Sequence, residues 1–271
     1  MASVRVLQWW VLLASGMAFA AAPQAGSDAD STVPAHQAHP VDPTPPAAKG
    51  KMVQLTLPDG KTSAAYVARP KGTPHAAVLL VHEWWGLNGW VKADADRQAA
   101  QGYLTLAVDL FDGKVATKPE EAEDLMKALD DAHATQVETA GIDWLAKNAP
   151  GKKIATIGWC MGGGQSLNAS LANTDKVSAT VIYYGLPVTD VDRLRKLKGP
   201  ILGIWAKKDG WITPEKVSAF DTALKDAGIK HEFRSYDADH AFANPSGGRY
   251  NPDAAKDANE ATRRFLASAL R

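Results

Sequence analysis

A short apolar run that breaks at a glycine and continues as a helix-forming segment constrains this chain more than any other stretch. Residues 152–164 read Lys-Lys-Ile-Ala-Thr-Ile-Gly-Trp-Cys-Met-Gly-Gly-Gly, and residues 165–171 then favour a helix. The pattern predicts a buried strand, a sharp turn and a helix, with Cys160 on the turn as in a nucleophile elbow. Glycine is needed at 158 and 162 because side chains there would collide with the neighbouring strand and helix.

The place of the thiol on this turn has an electrostatic consequence. Cys160 would lie at a helix N-terminus, where the helix dipole and free N–H groups favour a thiolate and a developing oxyanion. Short patterns recur by accident, and a glycine-rich link with a merely buried cysteine is the alternative. A catalytic interpretation therefore requires a base and an acid elsewhere in the chain.

The remaining apolar pattern predicts an α/β fold, a mostly parallel doubly wound sheet with an N-terminal antiparallel hairpin. Continuous apolar runs separated by helical segments are typical of a parallel sheet covered on both faces. The predicted strands cover 76–82, 103–109, 153–158, 178–184, 200–206 and 230–236. The predicted helices cover 89–101, 119–147 (as one helix or two), 161–173, 214–226, with Thr213 as its cap, and 252–270. Strands over 52–57 and 62–69, joined by a turn, form the hairpin.

Charge and composition exclude several classes of partner. The chain has 271 residues, with 30 Lys plus Arg against 30 Asp plus Glu, so no basic field exists to bind nucleic acid or an anionic membrane surface. Apolar content is ordinary for a protein with a packed core. No long apolar run follows the N-terminus, so the sequence predicts no transmembrane helix. We expect a monomer that binds a small molecule.

The N-terminus has the pattern of an export signal. Residues 1–5 carry a positive charge, residues 6–17 are mostly apolar, and residues 18–20 offer small residues at the cleavage positions. We expect a signal peptide over 1–20 and a periplasmic or secreted protein. Residues 21–50 predict a disordered linker, in which His36 and His39 are solvated rather than metal ligands, and 51–271 form the folded domain. Cys160 is the only cysteine, and a lone thiol in an oxidising compartment is a liability unless it is buried or used.

Two later strand ends supply the missing partners of the cysteine. In enzymes with an elbow of this kind, the chain order is nucleophile, acid, histidine, each at the C-terminal edge of a strand. Asp209 follows the strand over 200–206, and His240 follows the strand over 230–236. Asp237 or Asp239 could orient the base instead, but near neighbours rarely reach a histidine ring correctly, which favours Asp209. Backbone N–H groups of Met161 and of Trp84, in the loop after the strand over 76–82, are the expected oxyanion hole.

These residues, together with the segment His-Glu-Trp-Trp-Gly-Leu-Asn over 82–88, resemble the dienelactone hydrolase family. The resemblance covers the chain from about residue 52 onward and includes Gly-Trp-Cys-Met-Gly-Gly over 158–163, Asp209, and Asp-His-Ala-Phe over 239–242. It implies an α/β-hydrolase fold and a Cys-His-Asp hydrolase of esters or lactones, with no metal or other cofactor. It also implies that Glu83 approaches the nucleophile and takes part in its activation. We interpret this as Glu83 keeping Cys160 protonated in the empty site; an exposed loop carboxylate is the alternative.

The chain departs from the family in the expected substrate pocket. Relatives that cleave dienelactone bind the substrate carboxylate with two arginines, and neither is present here, although Lys114 or Arg249 could partly substitute. Tryptophans near strand ends predict an apolar, aromatic pocket that prefers uncharged or aromatic substrates. The residues assigned to its wall are Trp85, Trp159, Trp211 and Phe242, whereas Trp205 is expected in the core.

Other functions remain compatible with the same sequence. The triad could hydrolyse a thioester or an amide, although no peptide-binding extension is visible. A non-catalytic binding protein on a hydrolase scaffold is a second alternative, and it predicts a misaligned triad. A thiol redox sensor is a third, weakened by the absence of a second cysteine to resolve an oxidised thiol.

Overall fold

The computed structural model of this protein describes residues 45–271. The predicted signal peptide over 1–20, most of the linker over 21–50, and both linker histidines lie outside the described residues. Residues 45–50 contain no helix or strand, and regular structure begins at residue 51.

The centre of the fold is an eight-stranded sheet with the order β1-β2-β4-β3-β5-β6-β7-β8. β1 pairs antiparallel with β2, β2 pairs antiparallel with β4, and all other pairs are parallel, so the sheet is mostly parallel with the predicted N-terminal hairpin. The strands are β1 Lys51–Thr56, β2 Thr62–Ala68, β3 Ala76–Val81, β4 Tyr103–Val108, β5 Ile154–Trp159, β6 Val177–Tyr183, β7 Ile201–Ala206 and β8 His231–Tyr236. β5 is therefore central, and β8 lies at one edge.

Helices cover both faces of the sheet because the side chains of the central strands are apolar on both sides. In β3, Val78 and Leu80 join one core with α1 and α7, while Leu79 and Val81 join a second core with α3 and α4. A third core lies between the sheet and α6. The helices are α1 Gly89–Ala100, α2 Pro119–Ala128, α3 Asp131–Asn148, α4 Met161–Ala172, α5 Val191–Leu194, α6 Pro214–Asp226 and α7 Pro252–Ala269. Within residues 45–271, no helix is long and apolar enough to cross a membrane.

The predicted elements agree closely with the observed ones. Both ends of every predicted strand are within one residue of the observed ends, and 119–147 is two helices, separated where Asp130 caps α3 through its side chain. α5 was not predicted, since four residues are too few for a periodic pattern. Thr213 is the N-cap residue of α6, as expected, but its side chain makes no capping hydrogen bond.

Candidate active site

The turn between β5 and α4 holds Cys160 in a strained backbone conformation. Its φ is 54° and its ψ is −120°, a combination that a residue with a side chain rarely adopts. Close packing explains the flanking glycines: a Cβ on Gly158 would collide with the carbonyl oxygen of Gly162, and a Cβ on Gly162 would collide with those of Val81 and His82. The elbow therefore presses α4 against β3 and β5 and leaves the sulfur at the C-terminal edge of the sheet.

Three side chains distant in sequence meet at this edge. Nε2 of His240 lies 3.1 Å from Sγ of Cys160, and Nδ1 of His240 lies 2.6 Å from Oδ2 of Asp209. The carboxylate is fixed in turn, because its other oxygen accepts backbone N–H groups from Trp211 at 2.8 Å and Ile212 at 2.9 Å. The structure therefore places the predicted nucleophile, base and acid in one hydrogen-bonded line.

The two alternative acids are not in this line. Asp237 is exposed and forms an ion pair with Lys208 at 3.2 Å, and Asp239 is also exposed. The acid that contacts the histidine comes from the end of β7, the strand next to the one that carries His240. The order of strands in the sheet thus decides which aspartate reaches the ring.

The charges of the histidine and the aspartate stabilise each other. Burial opposes a charge on the ring, but the hydrogen bonds with Asp209 and Cys160 outweigh it and raise the pKa of His240 to about 10. Burial also opposes the ionised form of Asp209, yet the hydrogen bond from His240 holds the pKa of this carboxyl below its ordinary value. The ring is therefore suited to hold a proton next to the sulfur.

Glu83 is a buried side chain of the same site and not an exposed loop carboxylate, since only 7 % of it is accessible. It accepts hydrogen bonds from the Tyr184 hydroxyl at 3.4 Å and from Nδ2 of Asn244 at 2.5 Å. Burial raises the pKa of Glu83 to about 7, although the positive His240 ring and these two hydrogen bonds act in the opposite direction. The backbone of its loop is held by His82, whose Nδ1 lies 2.6 Å from the Glu83 carbonyl oxygen.

The residues that hold Glu83 were missed by the sequence analysis. Tyr184 directly follows β6, has a positive φ of 37°, and has its ring centre 5.1 Å from that of His240, with the two rings tilted by 59°. Asn244 is oriented by Ser246, whose backbone N–H and hydroxyl both donate to Oδ1 of Asn244. Tyr184 could have been found by treating every residue that follows a parallel strand as a candidate, whereas the contact of Asn244 depends on the path of a loop.

The predicted oxyanion donors occupy suitable elements. Met161 is the first residue of α4, so its N–H has no acceptor within the helix. Trp84 lies in the loop after β3 beside Glu83, the position expected for the second donor. Their role stays a prediction.

A cavity of about 490 Å³ opens beside the elbow. Trp159 lines it, as predicted, together with Glu83, Tyr184 and Asn244. Trp211 lies outside this cavity, but it is 49 % exposed and its ring is 5.1 Å from that of His240. Arg249, which was considered as a substitute for a missing arginine, has its guanidinium 5.2 Å from the Trp211 ring centre.

Two predicted wall residues are wrong. Phe242 is fully buried and packs its ring on Tyr184 and Tyr236, in the core beneath the site. Trp85 is buried in a separate small cluster with Ala116 and Ala122. The cavity is also less apolar than predicted, since α1 and α7 contribute polar side chains to its wall. Within residues 45–271, no group of three His, Cys, Asp or Glu side chains could hold a metal ion.

The parallel sheet, the elbow and the strand-end acid and histidine define an α/β-hydrolase. The family model of the dienelactone hydrolase family matches residues 63–270. The chain belongs to this family.

Individual relatives agree with this assignment. The protein usf of Aquifex pyrophilus is 32% identical over 213 residues, covering 74% of this chain and 91% of that protein. The carboxymethylenebutenolidase homolog of Xenopus tropicalis is 31% identical over 169 residues, covering 59% of this chain and 67% of its own. Among solved structures, a dienelactone hydrolase-like promiscuous phosphotriesterase from metagenomic libraries has a TM-score of 0.74 at 19% identity, covering 82% of this chain and 99% of its own, which shows the shared fold.

Proposed function

We propose that this protein is a cysteine-dependent hydrolase of carboxylic esters or lactones. The observation that carries the proposal is the line of hydrogen bonds from Asp209 through His240 to the sulfur of Cys160. This alignment favours catalysis over a non-catalytic binding protein, for which a misaligned triad is expected. The family, and a relative named as a carboxymethylenebutenolidase homolog, support the class of bond.

In the proposed reaction, the Cys160 thiol gives its proton to Nε2 of His240 as the sulfur attacks the carbonyl carbon. A tetrahedral oxyanion forms, held by the N–H groups of Met161 and Trp84. The carbon–oxygen bond to the alcohol then breaks, and Nε2 of His240 gives its proton to the departing oxygen. A water molecule next loses a proton to His240 and attacks the thioester. The carbon–sulfur bond breaks, the acid is released, and Cys160 and His240 return to their starting state.

Glu83 is proposed to control the thiol. An ionised carboxylate in this buried site disfavours a second negative charge on Cys160, so the thiol stays protonated until substrate enters. The hydrogen bonds that Glu83 accepts from Tyr184 and Asn244 support a fixed carboxylate that can exert this effect. Inactivation by hydrogen peroxide and by iodoacetamide should be faster in Glu83→Gln than in the native enzyme. Unchanged thiol reactivity together with unchanged turnover would remove this role.

The charges of the cavity support a preference for neutral substrates. Its acidic and basic lining residues are Glu83, Asp94 and Arg97, so that the cavity has a net negative charge once Glu83 ionises. A substrate carboxylate is disfavoured in such a surrounding. A panel of lactones in which small anionic members clearly outperform neutral esters would contradict this preference.

The central experiment couples labelling to activity. Stoichiometric alkylation of Cys160 by iodoacetamide should abolish turnover of p-nitrophenyl acetate, and His240→Asn should reduce turnover at least about 1,000-fold. His231→Asn is the matched control: His231 also bonds an aspartate, Asp221, at 2.9 Å, but it lies on β8 away from the elbow. Full turnover after complete alkylation of Cys160 would refute the proposal.

We also propose that the protein is exported, on the basis of the N-terminal sequence pattern. Expression of the full chain in a bacterial host should yield a mature protein that begins at Ala21, as measured by mass spectrometry of the periplasmic fraction. An intact N-terminus in the cytoplasmic fraction would contradict export.

A further inference from the structure

The cavity wall carries a polar group, formed by side chains of α1 and α7, that the proposed reaction does not use. Arg97 on α1 donates from Nε to Oδ1 of Asp94 at 3.0 Å and from Nη2 to Oδ1 of Asn259, on α7, also at 3.0 Å. The side chains of Arg97 and Asp94 are 35% and 18% exposed, so both are accessible from the cavity. A guanidinium has five N–H donors and a carboxylate has several acceptor positions, so this group can bind a ligand that both donates and accepts hydrogen bonds.

Aromatic rings accompany this polar group. Trp90 lines the cavity near the start of α1, Trp159 lines it next to Cys160, and Tyr250 lines it from the loop before α7. A volume of about 490 Å³ lies within the range of about 300–1,000 Å³ that small-molecule sites occupy. Aromatic rings pack against the C–H faces of a ligand, while the Arg97–Asp94 ion pair and the Asn259 amide can form hydrogen bonds with its hydroxyl groups.

The charge of the cavity restricts the ligand further. Arg97 and Asp94 neutralise each other, and the other ionisable carboxyl of the wall, Glu83, can only add negative charge. An anionic ligand is therefore disfavoured, and a hydroxyl group suits the pair better than a carboxylate.

From these contacts we propose that the cavity binds a neutral, hydroxyl-rich ring, and that the substrate is an ester of a sugar-like polyol. The ring lies between Trp90, Trp159 and Tyr250, its hydroxyls bond to Asp94, Arg97 and Asn259, and the ester reaches Cys160 at the near end. This inference rests on the proposed function and names its substrate class.

Three acetates of similar size test the proposal. They are methyl 6-O-acetyl-glucoside, cyclohexylmethyl acetate, which lacks hydroxyls, and 4-(acetoxymethyl)cyclohexanecarboxylate, which is anionic. The native enzyme should favour the glucoside ester over both others in kcat/KM by about 10-fold or more. Equal rates, or a preference for the anionic ester, would overturn the proposed class of ligand.

Two variants test whether Arg97 and Tyr250 bind the ring of the substrate. Arg97→Met should reduce the ratio of kcat/KM for the glucoside ester to that for cyclohexylmethyl acetate by about 10- to 100-fold. Because Arg97 also joins α1 to α7, Tyr250→Ala provides a second test: Tyr250 is 41 % exposed, and the loss of its ring should lower kcat/KM for both the glucoside ester and cyclohexylmethyl acetate by about 2- to 10-fold without unfolding the protein. The control, Arg263→Met, removes an exposed α7 arginine paired with Glu260 and should leave the ratio unchanged.

The outcomes separate this inference from the proposed function. If the native enzyme does not turn over p-nitrophenyl acetate, the hydrolase proposal itself fails. If it does, but Arg97→Met leaves the ratio unchanged and Tyr250→Ala leaves kcat/KM for both ring esters unchanged, only the polyol site is refuted.

Discussion

The buried carboxyl of Glu83 makes the stability of the protein depend on pH in a way that one substitution can reveal. Burial raises its pKa from 4.5 to about 7 in the folded state, so the neutral form is favoured by folding. The stabilisation is complete below pH 4.5 and is lost as the pH rises to about 7, because over that interval the unfolded chain ionises first. At about 1.4 kcal/mol per pKa unit, the loss amounts to about 3 kcal/mol.

Glu83→Gln abolishes this loss, because the amide does not ionise. Urea unfolding measures the difference between the unfolding free energies of the variant and the native protein. This difference should be more favourable to the variant by about 3 kcal/mol at pH 8 than at pH 4.5. His240 and the other titrating groups are present in both proteins and largely cancel in the comparison.

The matched control is Glu120→Gln, which changes an exposed carboxyl at the start of α2. Its unfolding free energy relative to the native protein should stay constant over the same interval. A constant difference for Glu83→Gln as well would show that Glu83 titrates normally in the folded protein and that the argument from burial is wrong.

Three further predictions follow from the same structure. Asp209→Asn should lower kcat for p-nitrophenyl acetate by about 1,000-fold or more, since the amide no longer fixes the charge and tautomer of His240. Gly162→Ala should destabilise the fold by about 1–3 kcal/mol in urea unfolding because its Cβ meets the Val81 and His82 carbonyls, whereas Gly210→Ala, with open space around it, should not. Glu138 is buried in α3 without a hydrogen-bond partner among the described residues, and burial raises its pKa well above 4.5, so Glu138→Gln should gain stability relative to the native protein as the pH rises from 5 to 8.

The sequence was sufficient to predict the sheet and the proximity of Cys160, His240 and Asp209. Continuous apolar runs define strands buried on both faces, and parallel strands bring their C-terminal ends to one edge. That rule, together with the chain order nucleophile, acid, histidine, placed Asp209 and His240 near Cys160. Asp237 and Asp239 also follow a strand, but they were weaker candidates because near neighbours in sequence rarely reach a histidine ring correctly, and both are exposed.

The pocket was predicted less well because a position near a strand end does not fix the direction of a side chain. Phe242 is two residues from His240 and yet turns into the core, and Trp85 packs beneath a loop. The polar end of the cavity was missed for a related reason. Arg97 and Asn259 are far apart in sequence, on two helices that meet only through the packing of α1 and α7 on the same face of the sheet.

Because β8 lies at the edge of the sheet, Cys160 and His240 follow strands with different numbers of hydrogen-bonded neighbours. Cys160 follows β5, which has a hydrogen-bonded strand on each side, whereas His240 follows β8, which pairs with β7 alone and has a largely exposed surface. If β8 frays, His240 moves away from the sulfur of Cys160 while the central strands stay paired. On gradual heating, hydrolysis should therefore cease before the molecule as a whole melts.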